Sequence, residues 1–152
     1  MHYQFKRAQF VKTDLQTLWD FASSPKNLGK ITPAYMDFKI VSPVPCDEMY
    51  PGMIVLYTVS PVMGLRLTWM TEITNVKPLS FFVDEQRMGP YKMWHHQHIF
   101  EQKEGGVLMT DIVTYIPPMG ILGAVANKLF IERQLNSIFE YRFKAMDLLF
   151  PS

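Results

Sequence analysis

The segment Tyr3 to Val11 is strand-like. Thr13 and Gln16 stand at capping-box spacing, where hydroxyl and amide side chains satisfy the free N–H groups of a helix start. Leu15, Leu18, Trp19 and Ala22 then fall on one helical face. Ser24-Pro25 opens a second short helix, since proline is tolerated in a first turn, and that helix ends near Gly29, before Pro33.

From Asp37 the pattern changes to strands at roughly 37–43, 53–60, 65–76, 80–87, 92–103 and 107–116. Turn signals divide them: Pro43-Val44-Pro45 through Pro51-Gly52, Pro61 to Gly64, Lys77-Pro78, Gly89-Pro90 and Glu104-Gly105-Gly106. Connections this short predict antiparallel neighbours, because a parallel crossover needs a dozen or more residues. Pro117-Pro118 and Gly120 end the last strand, and a helix is predicted over 121–149. Ile131, Leu135, Ile138, Phe139, Met146 and Leu149 give that helix an apolar stripe. At ~1.5 Å per residue it is about 40 Å long, enough to cross a whole sheet.

The expected fold is therefore α+β. A curved antiparallel sheet of about seven strands wraps a long C-terminal helix, with two short helices after the first strand, in a single domain spanning 1–152. A sheet curled around one helix leaves room between them, and such room is where small molecules bind. Leu122, Val125, Ala126 and Leu129 form a second apolar patch on the first half of the long helix. Packing under a neighbouring loop is the expectation for it, with a lip at the cavity mouth or a subunit contact as alternatives. Met53 to Trp69, with Pro61 to Gly64 at its turn, is a candidate rim.

Composition narrows the partners. With 15 Lys plus Arg against 14 Asp plus Glu, no net field favours nucleic acid or an anionic membrane. The 11 Phe, 7 Tyr, 3 Trp and 11 Met supply large and adaptable apolar groups, which fill cores and line pockets. Cys46 is the only cysteine, so there is no internal disulfide or CxxC motif, and a reducing, cytoplasmic setting follows. The N-terminus lacks a basic segment followed by an apolar one, unlike a signal peptide. Pro117, Pro118, Asn127 and Lys128 interrupt the longest apolar stretch, Tyr115 to Ile131, so no integral membrane segment is expected.

The segment Trp94 to Phe100 carries the candidate chemistry. Side chains alternate across a strand, so Trp94, His96, His98 and Phe100 share one face, and the aromatic ends mark it as interior. A two-residue turn at Glu104-Gly105 sets His98 opposite Asp111, His96 opposite Val113 and Trp94 opposite Tyr115. A His98–Asp111 contact is then within reach, since opposed Cβ atoms lie ~4.5–5.5 Å apart. Similar reasoning about Lys77-Pro78 puts Phe82, Asp84 and Gln86 opposite Ile73, Thr71 and Trp69. Arg142 falls inside the helix stripe, toward the sheet.

The predicted interior thus carries Asp84, His96, His98, Asp111 and Arg142 among Trp69, Phe82, Gln86, Trp94, Phe100, Tyr115, Leu135 and Phe139. Buried charges are costly alone, so these groups pair with one another, with water or with a ligand. Structural hydrogen bonding, orientation of a ligand, and acid–base catalysis by His96 or His98 tuned by Asp111 or Asp84 all remain open. His-x-His beside carboxylates can ligate zinc or iron, but spacing fixes no third ligand, so neither a metal nor a cofactor is assigned. No GxSxG elbow is present, and Gly120-x-x-Gly123 lacks the Lys-Ser/Thr of a phosphate loop.

The chain resembles the START/Bet v 1-like (SRPBCC) superfamily, and within it bacterial polyketide cyclase/dehydratase and lipid-transport proteins. The resemblance rests on Leu18-Trp19-Asp20-Phe21, Asn27-Leu28, Ile31-Thr32-Pro33, Trp69, Phe82 to Gln86 and Gly89-Pro90-Tyr91. It continues through Trp94 to Phe100, Asp111, Tyr115, Pro118 and Tyr141-Arg142, covering essentially the whole chain. It implies a helix-grip fold. It implies function only broadly, because one scaffold hosts carriers, cyclases and regulators. The favoured expectation is a carrier or sensor of a small hydrophobic molecule: a lipid, isoprenoid, aromatic or polyketide. A cyclase or dehydratase, and a structural protein with a filled cavity, are the alternatives, and a homodimer is one reading of the second apolar patch.

Overall fold

The computed structural model describes residues 1–61 and 63–151. Val62, within the expected rim turn, lies outside them. Strand β1 (Tyr3–Val11) leads into helix α1 (Leu15–Ala22) and a 3-10 helix, Pro25–Ile31. A further 3-10 turn, Ala34–Met36, precedes β2 (Lys39–Ile40). Strands β3 (Ile54–Val59), β4 (Leu67–Lys77), β5 (Phe81–Met88), β6 (Met93–Lys103) and β7 (Gly106–Ile116) follow. The helical C-terminal part comprises α2 (Gly120–Ala126), a π-helical turn (Asn127–Ile131) and α3 (Glu132–Leu149).

All strands join one antiparallel sheet in the order β1-β7-β6-β5-β4-β3-β2. The sheet curves around the terminal helix, the helix-grip arrangement that the sequence predicts. Leu135, Phe139 and Met146 turn inward from α3. Trp19, from α1, seals one end, with its ring edge-on to Phe82 and Phe100 at centroid distances of 6.0 and 5.4 Å. Gln9 ties β1 to α3 through its Nε2, which donates to the Phe143 carbonyl and to Asp147, both at 2.9 Å.

Five local expectations are corrected. Helix α1 is capped by Asp14 rather than Thr13, because the Asp14 carboxylate accepts from Thr17 N at 2.9 Å and Thr17 Oγ1 at 2.6 Å. Strand β2 is only two residues long, and Ser42 instead ends the pairing by accepting from Leu56 N. The helix expected over 121–149 is interrupted by the π-helical turn, which shifts the phase of the stripe. Leu149, placed in the stripe, is 42% exposed. The second apolar patch is not packed under a loop: Leu122, Val125 and Leu129 are exposed, with Met119, Ile121 and Phe130 beside them.

Register decides what reaches the interior. The Glu104-Gly105 turn, with Gly105 at φ +79°, sets His98 opposite Asp111, His96 opposite Val113 and Trp94 opposite Tyr115, as predicted. The β4–β5 register differs from expectation: Asp84 pairs with Ile73 and Gln86 with Thr71, two residues from the predicted partners. Near the hairpin Val76 pairs with Phe82, so Thr74 is an extra residue in β4. That bulge lets Ile73 and Val76, three positions apart, both face the core.

Gly106, where β7 begins, runs against β1. A Cβ there would lie 2.4 Å from the Val11 carbonyl oxygen and 2.8 Å from the Phe10 ring. Gly106→Ala is expected to destabilise the fold by about 1–3 kcal/mol through this overpacking. Urea denaturation checks it, and an unchanged midpoint would show that the two strands separate freely.

Candidate functional site

The sheet and the terminal helix enclose a cavity of about 340 Å³. Phe21, Leu28 and Ile31 from the short helices, Tyr57 and Trp69 from the middle strands, and Ile138 and Phe139 from α3 stand around it. Aromatic contacts run along one wall: Phe38–Tyr57 at 5.0 Å, Tyr57–Trp69 at 6.0 Å, Trp69–Trp94 at 5.3 Å and Trp94–Tyr91 at 4.8 Å. Such ring-to-ring packing stiffens a wall while keeping it apolar.

Into this wall three adjacent strands place a polar cluster. Asp84 comes from β5, His96 and His98 from β6 and Asp111 from β7, with Asp84 opposite His96 and His98 opposite Asp111. Alternation along β6 turns both imidazoles inward, where their ring centroids lie 3.8 Å apart. Each carboxylate reaches both rings. Asp111 Oδ1 is 2.9 Å from His96 Nε2 and 3.0 Å from His98 Nδ1. Asp84 Oδ2 is 2.7 Å from His98 Nε2 and 3.6 Å from His96 Nδ1. Arg142 brings Nη1 to 3.8 Å from Asp111 Oδ1 and stacks its guanidinium 4.8 Å from the Phe139 ring. Phe82 covers His98 in a stacked contact at 4.1 Å.

Burial alone would push the Asp111 carboxyl up. The hydrogen bonds from His96 and His98 and their charge outweigh it and hold Asp111 far below the usual carboxylate range. Asp84 is lowered for the same reason, with burial overcome by the His98 bond and the charges of His96, His98 and Arg142. The two imidazoles diverge. Burial lowers both, but in His98 the bonds to Asp111 and Asp84 prevail and raise it. In His96 burial and the neighbouring charge of His98 prevail and lower it. His98, clamped between two carboxylates, is thus the imidazole of the pair that holds a proton more readily.

Of the residues predicted for the interior, Trp69, Phe82, Asp84, Trp94, His96, His98, Asp111, Leu135, Phe139 and Arg142 line the cavity. Three do not. Gln86 is held by Tyr91, its Nε2 donating to the Tyr91 carbonyl at 2.7 Å and its Oε1 accepting from Tyr91 N at 3.1 Å. Phe100 packs in the core around Trp19, and Tyr115 packs beside Phe5 and Leu135. Sequence reasoning missed the contribution of the short helices, Leu28 and Ile31, and of Tyr57. Alternation of Val55, Tyr57 and Val59 on β3 carried a readable signal for Tyr57. The 3-10 segment, with no regular apolar period, carried none.

Three buried polar atoms of lining residues have no hydrogen-bond partner among the described residues: Trp69 Nε1, Asp111 Oδ2 and Arg142 Nε. Buried donors and acceptors of this kind are exceptions to the usual pairing of interior polar groups. Among the described residues no helix is long and apolar enough to cross a membrane.

A curved seven-stranded sheet gripping a terminal helix over an internal cavity defines the Bet v 1-like, or START-like, helix-grip fold. Comparison with solved structures agrees along nearly the whole chain. The major latex-like protein 151 of Panax ginseng superposes with a TM-score of 0.72 at 12% identity, covering 99% of both chains. Protein CV1439 of Chromobacterium violaceum gives a TM-score of 0.75 at 9% identity over 98% of each chain. Protein Ms6760 of Mycobacterium smegmatis gives 0.71 at 17% identity, over 96% of this chain and 89% of that one. No family model matches the chain, and no curated protein does. Identities this low establish the fold and leave the function to the site.

Proposed function

We propose that the chain, as one domain over 1–152, binds a small, largely apolar molecule with one polar end, as a carrier or sensor. The observation that carries this is the cavity of about 340 Å³, apolar around most of its wall and charged only where Asp84, His96, His98, Asp111 and Arg142 converge. Its size falls within the range of small-molecule sites, roughly 300–1,000 Å³. Apolar walls supply affinity without direction, and a single charged cluster fixes which end of the ligand enters first. A lipid, isoprenoid, aromatic or polyketide-like molecule fits that division. Cys46 as the only cysteine supports a reducing, cytoplasmic setting. The exposed row Ile121, Leu122, Val125 and Leu129 favours self-association into a homodimer.

Native mass spectrometry of gently purified protein tests the reading, together with titration by a fluorescent apolar probe. A retained organic mass, or saturable probe uptake displaced by fatty acids or aromatic acids, is expected. No retained mass and no saturable uptake would dismiss it.

One observation favours a second reading, acid–base catalysis of the cyclase or dehydratase kind. His96 and His98 are neighbours whose environments drive their proton affinities apart, the condition for an acid and a base at one pH. Turnover lost on replacing His98, with the free ligand still bound, would favour the enzyme over the carrier.

A further inference from the structure

We propose that Asp84 Oδ2, His96 Nδ1 and His98 Nε2 form a site for one divalent transition ion of the zinc class, with its open coordination positions facing the cavity. The three residues bring one ligand atom each to within 4.8 Å of one another, and all line the cavity. Two imidazoles and one carboxylate are a donor set that zinc and iron(II) accept, and three protein ligands leave room for a small molecule.

The rest of the cluster is arranged as such a site requires. An ionised carboxylate only accepts hydrogen bonds. Asp111 therefore holds the N–H of each imidazole that faces it, His96 Nε2 at 2.9 Å and His98 Nδ1 at 3.0 Å. The remaining nitrogens, His96 Nδ1 and His98 Nε2, face the same oxygen, Asp84 Oδ2, at 3.6 and 2.7 Å, and an ion bound there takes the place of the proton that His98 Nε2 shares with Asp84. A metal-ligating histidine almost always gives its other N–H to a carboxylate or carbonyl, which fixes the tautomer and raises the basicity of the ligating nitrogen. Asp111 does this for both rings at once.

Charge counting leads to the same place. Among the described residues lining the cavity the permanent charges are Asp84 and Asp111 against Arg142 alone. The excess carboxylate is balanced either by a proton shared between His98 and Asp84 or by a cation in its place. Ligand separations around a four-coordinate ion with bonds of ~2.0–2.1 Å are about 3.3–3.4 Å, between the two distances observed to Asp84. Small side-chain rotations reach that spacing. The half-buried pair His95 and Glu85, 2.7 Å apart on the outer face, lacks a third donor among the described residues and serves as a contrast.

What fills the open positions rests on the reading of the cavity given above: an oxygen donor, a carboxylate or an enolate, on an apolar body. Arg142, which lines the same cavity with Nη1 3.8 Å from Asp111, supplies the positive charge on that wall.

The test is titration of the full, metal-stripped chain with Zn²⁺ by calorimetry and with Co²⁺ by visible absorption. One ion per chain and a Co²⁺ spectrum of low-symmetry, four- or five-coordinate type are expected. His98→Gln and Asp84→Asn remove the site, Asp111→Asn weakens it about 10–100-fold, and His95→Ala leaves it unchanged. Far-UV circular dichroism verifies the fold of each variant, and the isosteric Asp84→Asn serves if the histidine variant unfolds. Absence of saturable uptake by the wild-type chain overturns the site, as does uptake that survives in folded Asp84→Asn or that is lost in His95→Ala. Apolar-probe binding by the same metal-free wild-type chain separates the two readings. Probe uptake without ion uptake overturns the metal site alone, and ion uptake without probe uptake overturns the ligand cavity alone.

Discussion

Replacing Asp111 by alanine is expected to cost about 3–5 kcal/mol of stability, the range for breaking a buried charge network by removing one partner. For a chain of this size that lowers Tm by on the order of 10 °C. The physical reason is the company Asp111 keeps. Its side chain is 1% exposed and lies within 4 Å of His96, His98 and Arg142, all of which lose their common counter-charge in the variant. His98 would keep Asp84 as its one carboxylate partner, and the Arg142 guanidinium would be left buried with no anion at 3.8 Å. Asp111→Asn, which keeps the shape and a polar oxygen, is expected to cost less. Glu85→Ala on the outer face provides the scale. Its pair with His95 has side chains about one-third exposed (33% and 30%), so water replaces the lost partner and the cost stays below about 1 kcal/mol. Thermal denaturation of the three variants measures these differences directly. An Asp111→Ala chain as stable as Glu85→Ala would mean that the cluster is not held together by charge.

The second large effect is expected from filling the cavity. Ile138 is half-buried on α3 and lines the space, so Ile138→Trp pushes an indole into volume that a ligand would otherwise occupy. Affinity for the apolar probe should fall at least about tenfold, equivalent to about 1.4 kcal/mol. Tm should change little, because the added ring meets open space rather than packed atoms. Leu148→Trp, on an outward position of the same helix that is 82% exposed, controls for the substitution itself and should leave probe binding unchanged. Equal probe affinity in the two variants would sink the assignment of this space as the binding site.

How far the sequence could be read depended on whether a feature was local. The inward face of β6 followed from two-residue alternation with Trp94 and Phe100 as markers, and the His98–Asp111 register followed from a turn two residues long. Both need only nearby backbone geometry. The β4–β5 register failed because the Thr74 bulge inserts one residue into a strand whose apolar pattern gives no sign of it. Asp84 nevertheless reaches the interior, since alternation along β5 from Phe82 holds whatever stands opposite. The second apolar patch was misplaced for a different reason: whether Leu122 and Val125 are covered depends on which distant segments end up over them, which no periodicity encodes.

By itself the chain determined its element order, the curved antiparallel sheet, the inward histidines and the helix that crosses them, because alternation, turn chemistry and helical period act over a few residues. Tertiary structure decided the rest. It set the crossed contacts in which each carboxylate meets both imidazoles, the exclusion of Gln86, Phe100 and Tyr115 from the wall, and the gathering of Asp84 with His96 and His98 into one three-ligand corner. Those outcomes depend on the twist and curvature of three adjacent strands acting together, and a separation of a few ångströms between side chains from different strands is fixed only when the whole sheet is in place.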